Sequence, residues 1–376
     1  TRQCSERRQR MSSVTVVAMD IHKKFSKAVV MGADCGILGE EMIYHGDKGE
    51  MGNFFAKFDD DTDVVMEATF NWPWIADMAK QAGLRAHLVD PVRAREMAKG
   101  YAKSDRKDAI YLGKLFISSA LFPEVYLAPV EVRDKRWLFR LRLLLVRMRT
   151  AVKNAVHGQL FRLGYVLDIG IFSEHGRDIV GGLELSETER LLLNEKFEVI
   201  EDLDGHIEYL GVHIEKQLRE DPRAEILISL PGVGKITAYA MLAEIGDIRR
   251  FPDRRALSAY AGLLPLEDES GGKKRAKHTG ARCNRHLRWS AIEAVTGAVR
   301  SSARMKSLHA RVSGRNKGMG GKARVAVARE IVELAWILLT RNEYYVEQRP
   351  ARPGSVKAVE SCDPNRASQT ALCARS

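Results

Sequence analysis

Cysteine is scarce in this 376-residue chain. The five, Cys4, Cys35, Cys283, Cys362 and Cys373, are odd in number and no two are spaced C-x-x-C. That argues against a disulfide framework or a zinc knuckle and fits a reducing compartment such as the cytoplasm. No run of about 18 apolar residues occurs, so no membrane-spanning helix and no membrane partner are expected. The opening TRQCSERRQR has no apolar secretion core. A GxxxxGK[ST] phosphate loop, internal repeats and low-complexity tracts are also missing. Positive charge is what the chain has in excess. Lys and Arg outnumber Asp and Glu by 60 to 49, the net charge is +11, and a polyanionic partner is the natural expectation.

The length suggests two or three domains. VTVVAMDIH (14–22), KAVVMGA (27–33) and ILGEEMI (37–43) read as a three-strand meander. DVVMEAT (63–69) reads as a fourth strand. Pro73 then opens a helix to about Ala82 with Gly83 as its stop, RAHLVDP (85–91) is a fifth strand, and a helix runs from about Arg106 to Ser119. This is the element order of an RNase H-like α/β domain, here spanning 13–127. Over 128–222 two long helices are expected. Their seams are Leu138, Leu141, Leu145, Met148, Val152 and Ala155 in the first, and Ile200, Leu203, Ile207, Leu210 and Ile214 in the second, paired antiparallel as a coiled coil or as a helical-bundle core. Residues 223–345 read as a third, helical and very basic domain. Residues 1–12 and 346–376 are expected to be disordered.

Acids stand at telling places in the first domain. Asp20 ends strand one, Glu67 ends strand four, and Asp105 and Asp108 lie three apart, on one face of a helix. In an RNase H-like sheet strands one and four are neighbours and the last helix packs across them, so these four carboxylates would converge. Clustered carboxylates repel one another until a divalent cation neutralises them. Mg²⁺, with Mn²⁺ as the alternative, takes such oxygen ligands, and two ions roughly 4 Å apart stabilise the entering and leaving oxygens of a phosphoryl displacement. Lys103, Arg106 and Lys107 beside the acids would hold a nucleic-acid backbone. Each acid taken singly has a plainer reading: Asp105 as a helix cap, and Asp34, Asp63 and Asp90 as turn residues.

Two motifs mark the third domain. ILISLPGVGKITAYAMLAEIG (226–246) has the helix-hairpin-helix pattern, whose Gly-rich turn at Gly232 and Gly234, with Lys235, would offer N–H groups to a DNA phosphate; a plain helical hairpin fits as well. In YAGLLPLEDESGGKKRAKHTGARCNRHLRW (260–289), Ser270 precedes two glycines. Lys273, Lys274, Arg275, Lys277, Arg282, Arg285 and Arg288 follow, with no acid between Ser270 and Arg288. A serine there would meet a phosphodiester but needs a base or metal to act as a nucleophile, and a flexible turn is the plainer reading. His278 and His286 read as helix surface, with a general base or a phosphate contact as the functional alternatives.

The ordered set AMDIHKK, VVMEAT, KSDRKDA, LPGVGKITA, YAGLLP and ESGGKK resembles the insertion-sequence-110 family of DEDD transposases, over about residues 13–345. The resemblance implies a RuvC-like domain, a coiled-coil region and a C-terminal transposase domain. It implies Asp20, Glu67, Asp105 and Asp108 as a metal-binding tetrad, and Ser270 as a nucleophile forming a covalent phosphoserine link to DNA. It implies guidance by a structured bridge RNA and action as a tetramer of two dimers, with sites assembled from different subunits. Phe70 departs from the pattern, because the family often has Gly after the Glu motif. The rival activity is a metal-only RuvC-like nuclease or junction resolvase in which water attacks.

Overall fold

The computed structural model describes residues 15–97, 104–118, 122–167, 170–264, 266–270, 273–277, 283–315 and 320–347, with backbone alone for 266–270 and 273–277. The ends expected to be disordered, apart from Val346 and Glu347, lie outside these residues. So do Lys103, His278 and Arg282. The chain divides into two compact units, Thr1–Pro129 and Val130–Ser376.

The first unit is a mixed sheet covered by helices on both faces. Its strands are β1 (Val16–Ile21), β2 (Phe25–Met31), β3 (Ile37–Tyr44), β4 (Asp63–Glu67), β5 (Arg85–Val89) and the short β6 (Glu124–Val125), in spatial order β3-β2-β1-β4-β5-β6. β1 is antiparallel to β2 and parallel to β4, in register Met19 to Met66. The β-branched runs of β1 and β4 suit a strand buried on both sides. Val17, Met19, Val64 and Met66 face a core built with Phe54, Phe55 and Ile75. Val16, Ala18 and Val65 face the opposite core, with Leu112, Leu115 and Phe116.

The first core draws on α1 (Lys48–Phe55) and α2 (Trp72–Gln81), the second on α3 (Pro91–Met97) and α4 (Asp105–Ser118). The sequence reading contains neither α1 nor α3. Gly49 and Gly52 depress helix propensity in α1, but Met51, Phe54 and Phe55 are buried, and Asp47 caps the start by accepting from the Gly49 N–H. α3 is short; Asp90 caps it, its Oδ1 accepting from the N–H of Val92 (2.9 Å) and Arg93 (3.2 Å).

In the second unit, α5 (Val130–Arg162) and α7 (Glu187–Arg219) flank the short α6 (Glu174–Gly181). α5 and α7 run antiparallel: Lys135 pairs with Asp221 just beyond α7, Arg149 with Asp204, and Gln159 donates to the Glu189 carbonyl. Most of the α7 seam is as read, with Ile200, Leu203, Ile207 and Ile214 buried and Leu210 half-buried. The α5 seam is not. Phe139, Leu143, Val156 and Leu160 are buried, whereas Leu141 and Met148 are each 47% exposed. α5 carries apolar residues on two stripes, so spacing alone cannot choose between them. The choice is made by the core of the following helices, into which Phe139 and Leu143 insert.

That core surrounds α9 (Lys235–Ile245), whose residues from Thr237 onward are all buried. Around it lie α8 (Arg223–Ile228), α10 (Arg254–Tyr260), α11 (Arg285–Ser301), α12 (Ala303–Arg315) and α13 (Gly320–Arg341). A hairpin of β7 (Leu266–Ser270) and β8 (Lys273–Lys277), not expected from the sequence, leaves this helical body between α10 and α11. No described helix is long and apolar enough to cross a membrane.

Gly113 sets how closely α4 approaches the sheet. A Cβ there would lie 2.5 Å from Met31 Sδ and 3.1 Å from Ala18 Cβ. Gly113→Val is expected to overpack this contact and cost about 1–3 kcal/mol. Chemical denaturation would show it as a lowered midpoint, and an unchanged midpoint would mean that the helix can shift freely.

Candidate functional site

The parallel pairing of β1 with β4 brings two distant acids together. Asp20 follows Met19 and Glu67 follows Met66, so both sit one step past a paired position. Side chains alternate along a strand, and Ala18 and Val65 already face α4. Asp20 and Glu67 therefore face the same helix. On α4, Asp105 and Asp108 share the stripe of the buried Ala109 and Leu112, which packs against the sheet. Asp105 is not the helix cap. Ser104 takes that place, with its Oγ accepting from the Lys107 N–H at 3.3 Å and its carbonyl from the Asp108 N–H at 2.8 Å. Both aspartates thus lie in the first helical turn, where the helix dipole favours negative charge.

The electrostatics carry the mark of crowded acids. Burial pushes the Asp20 carboxyl above the ordinary aspartate value; His22 pulls it back, and the charges of Asp105 and Asp108 add to the rise. His22 Nε2 lies 3.1 Å from Asp20 Oδ2 and 3.4 Å from Asp105 Oδ1. One donor atom from each of Asp20, His22 and Asp105 falls within 4.8 Å of the others. Hard carboxylate oxygens gathered where their own charges repel are a donor set that a divalent cation fits. His22 is the residue the sequence reading missed. Its signal is the i, i+2 spacing from Asp20 in AMDIH.

The neighbouring residues sort differently. Arg106 is bound to Glu40 through Nε at 2.7 Å and Nη2 at 2.6 Å, so it is already paired. Lys107 is exposed. Phe70, in the turn after β4, is 70% exposed. Asp34 is a turn residue, its Oδ1 accepting from the Gly36 N–H at 2.9 Å. Asp63 is not. It opens β4 and is clamped between Arg85 Nε at 2.8 Å and His87 Nε2 at 3.0 Å, with Glu124 on the other His87 nitrogen.

In the second unit one glycine of the Gly-rich turn is closely packed. Gly232 has φ +76°, and a Cβ on it would lie 2.1 Å from the Ala294 carbonyl oxygen on α11. Gly234 is exposed at the start of α9, and Lys235 Nζ is paired with Glu215 at 2.9 Å. Ser270 pairs with Lys273 at the end of the β7–β8 hairpin, whose second strand carries Lys274, Arg275 and Lys277. Arg285, at the start of α11, is exposed.

The base of this hairpin is tied to a buried anion. Asn284 donates its N–H to the Tyr260 carbonyl at 2.8 Å, and its Nδ2 to Glu244 Oε2 at 2.7 Å and Tyr260 Oη at 2.9 Å. Its Oδ1 caps α11. Glu244 is fully buried and takes two hydrogen bonds from Arg140, at 2.9 Å each, with Arg136 Nε at 3.6 Å. His286 is not helix surface. It is half-buried, sits edge-on to Phe139, and burial lowers its pKa.

Two family profiles match the chain: an IS110-type DEDD transposase over residues 17–163, and the transposase IS116/IS110/IS902 family over residues 224–310. A probable family 20 transposase of Pseudomonas aeruginosa is 28% identical over 77% of this chain and 86% of its own length. The transposase for insertion sequence element IS1111A of Coxiella burnetii is 30% identical over 70% of this chain and 73% of its own. The transposase for IS1328 of Yersinia enterocolitica is 23% identical over 75% and 85%.

Two outcomes follow from the buried charges. Burial draws the His87 imidazole down, but its bonds to Asp63 and Glu124 raise it on balance above 6.5. Its contribution to stability is therefore full below pH 6.5 and is lost as pH rises through the raised value. His87→Gln should flatten that alkaline loss, read as amide exchange of β4 against pH; a profile unchanged from wild type would refute the linkage. Glu244→Gln leaves Arg136 and Arg140 facing no buried anion and should cost about 3–5 kcal/mol in denaturant unfolding.

Proposed function

The chain belongs to the IS110/IS116 family of transposases, enzymes that cleave and rejoin DNA, and from that premise we propose a mechanism for its own residues. The first unit is read as an RNase H-like, RuvC-like domain in which Asp20, Glu67, Asp105 and Asp108 hold divalent metal, Mg²⁺ by preference. The bound cation supplies charge stabilisation at the phosphate in an in-line displacement. What supports the reading is the approach of Asp20 and Asp105 at the end of β1, with Asp108 close enough to raise the Asp20 carboxyl and Glu67 one step past the paired end of the neighbouring β4.

Ser270 is the nucleophile. Its oxygen attacks the scissile phosphorus, the serine loses its proton, and one DNA hydroxyl departs, leaving a phosphoserine ester. A free DNA hydroxyl then attacks that ester and expels the serine, so phosphodiester bonds are conserved in number and no external energy source is required. Lys273, Lys274, Arg275 and Lys277 beside Ser270, together with Arg282 and Arg285, are read as holding the DNA backbone. The basic excess also suits a bridge RNA that selects donor and target DNA. The acting species is read as a tetramer of two dimers.

The test is a denaturing gel of protein incubated with Mg²⁺, element-end DNA and RNA transcribed from the element's flanks. A protein–DNA adduct is expected in the wild type and absent in both Ser270→Ala and Asp105→Ala. Cleavage without an adduct that survives Ser270→Ala would overturn the nucleophile and favour a metal-only nuclease with water attacking.

A further inference from the structure

His22 lies outside the acidic tetrad, yet its ring nitrogen sits among the acids. Three contacts fix the residue, and none of them uses Nε2. Its backbone N–H donates to the Phe25 carbonyl at 2.9 Å, closing the turn between β1 and β2. Its carbonyl accepts from Asn71 Nδ2 at 2.9 Å, from the turn that follows β4. Its ring packs on Phe25, with centroids 4.7 Å apart. The two strand ends that carry Asp20 and Glu67 therefore also anchor the histidine.

What remains is Nε2, aimed at two carboxylates. It lies 3.1 Å from Asp20 Oδ2 and 3.4 Å from Asp105 Oδ1. A single N–H cannot point along both directions at once. The tautomer protonated at Nε2 donates to Asp20 Oδ2, whereas the tautomer with its Nε2 lone pair turned inward would meet oxygen lone pairs on both sides, an arrangement that a cation between them makes favourable. Adjacent corners of an octahedron with bonds of about 2.1 Å stand about 3 Å apart, which is close to the 3.1 and 3.4 Å between Nε2 and the two carboxylate oxygens. The site is also open, with the His22 side chain 38% and the Asp105 side chain 50% exposed, so an ion and a phosphate oxygen can reach it.

We infer that His22 is a further metal ligand at this site, giving it a mixed nitrogen–oxygen donor set that raises its affinity for a divalent transition ion such as Mn²⁺ above that of an all-carboxylate site. The inference rests on the acidic residues being the metal site. Imidazole adds a donor without adding another negative charge to a cluster already crowded with them. It also shifts the balance of affinities, because carboxylate and water suit Mg²⁺ whereas imidazole suits first-row transition ions.

The experiment loads the full chain with Mn²⁺ alone and measures pulsed paramagnetic resonance on protein carrying ¹⁵N-histidine. A nitrogen coupling to the ion is expected in the wild type and absent in His22→Gln. His22→Gln should weaken Mn²⁺ binding by about tenfold or more, with a smaller loss for Mg²⁺. Unchanged circular dichroism and melting temperature would show that this variant is folded. Asp105→Asn separates the two readings. Mn²⁺ that is lost in Asp105→Asn but shows no nitrogen coupling in the wild type overturns His22 as a ligand and leaves the acidic site standing. Mn²⁺ that binds Asp105→Asn as tightly as wild type lies elsewhere, and overturns both.

Discussion

The parallel pairing of β1 with β4 is the constraint on which the acidic site depends. Two strands far apart in sequence become neighbours with matched ends, and a carboxylate stands at the end of each. Such an arrangement is unfavourable by itself. Burial raises the Asp20 carboxyl above its ordinary value, and the charges of Asp105 and Asp108 add to the rise. The fold holds the acids there because both faces of the sheet are packed: Met19 and Met66 lock one face, Ala18 and Val65 the other, and Gly113 lets α4 come close enough to present its first turn. Hydrophobic burial thus supplies the stabilisation that a repulsive cluster needs.

The second unit solves a related problem by pairing rather than exposing its buried charge. Glu244 has no access to solvent, and Arg136, Arg140 and Asn284 together satisfy it. Through Asn284 and Tyr260 this anion ties both ends of the segment that carries β7 and β8. The turn at Gly232 is a matter of backbone proximity: Gly232 and Gly297 let two segments touch where any side chain would intervene. The turn that reads in the sequence as phosphate-binding also makes, at that glycine, an interhelical contact.

Legibility in the sequence followed the physics of each signal. Strands with β-branched residues buried on both sides, and the strongly periodic α7, were readable because one periodicity dominated. α1 was hidden by its two glycines, α3 by its shortness, and the seam of α5 by a second apolar stripe at nearly the same spacing. Asp63 looked like a turn residue because its partners, Arg85 and His87, belong to another strand, and cross-strand partners leave no mark on local sequence. His22 carries no local signal beyond its spacing from Asp20, and only the approach of Asp105 gives it significance.

The sequence by itself determined the order of β1 to β5, α2 and α4 in the first unit, the identity of the acids and the place of each at the end of a strand or the start of a helix. It also determined the basic excess and the motif order that carries the family. Local pattern is enough for these, since each depends on neighbours a few residues away. Only the tertiary structure decided which acids meet, that His22 joins them, which stripe of α5 is buried and that Glu244 anchors the base of the hairpin. Those outcomes depend on pairing and packing between residues far apart in the chain, where geometry rather than composition sets the distance.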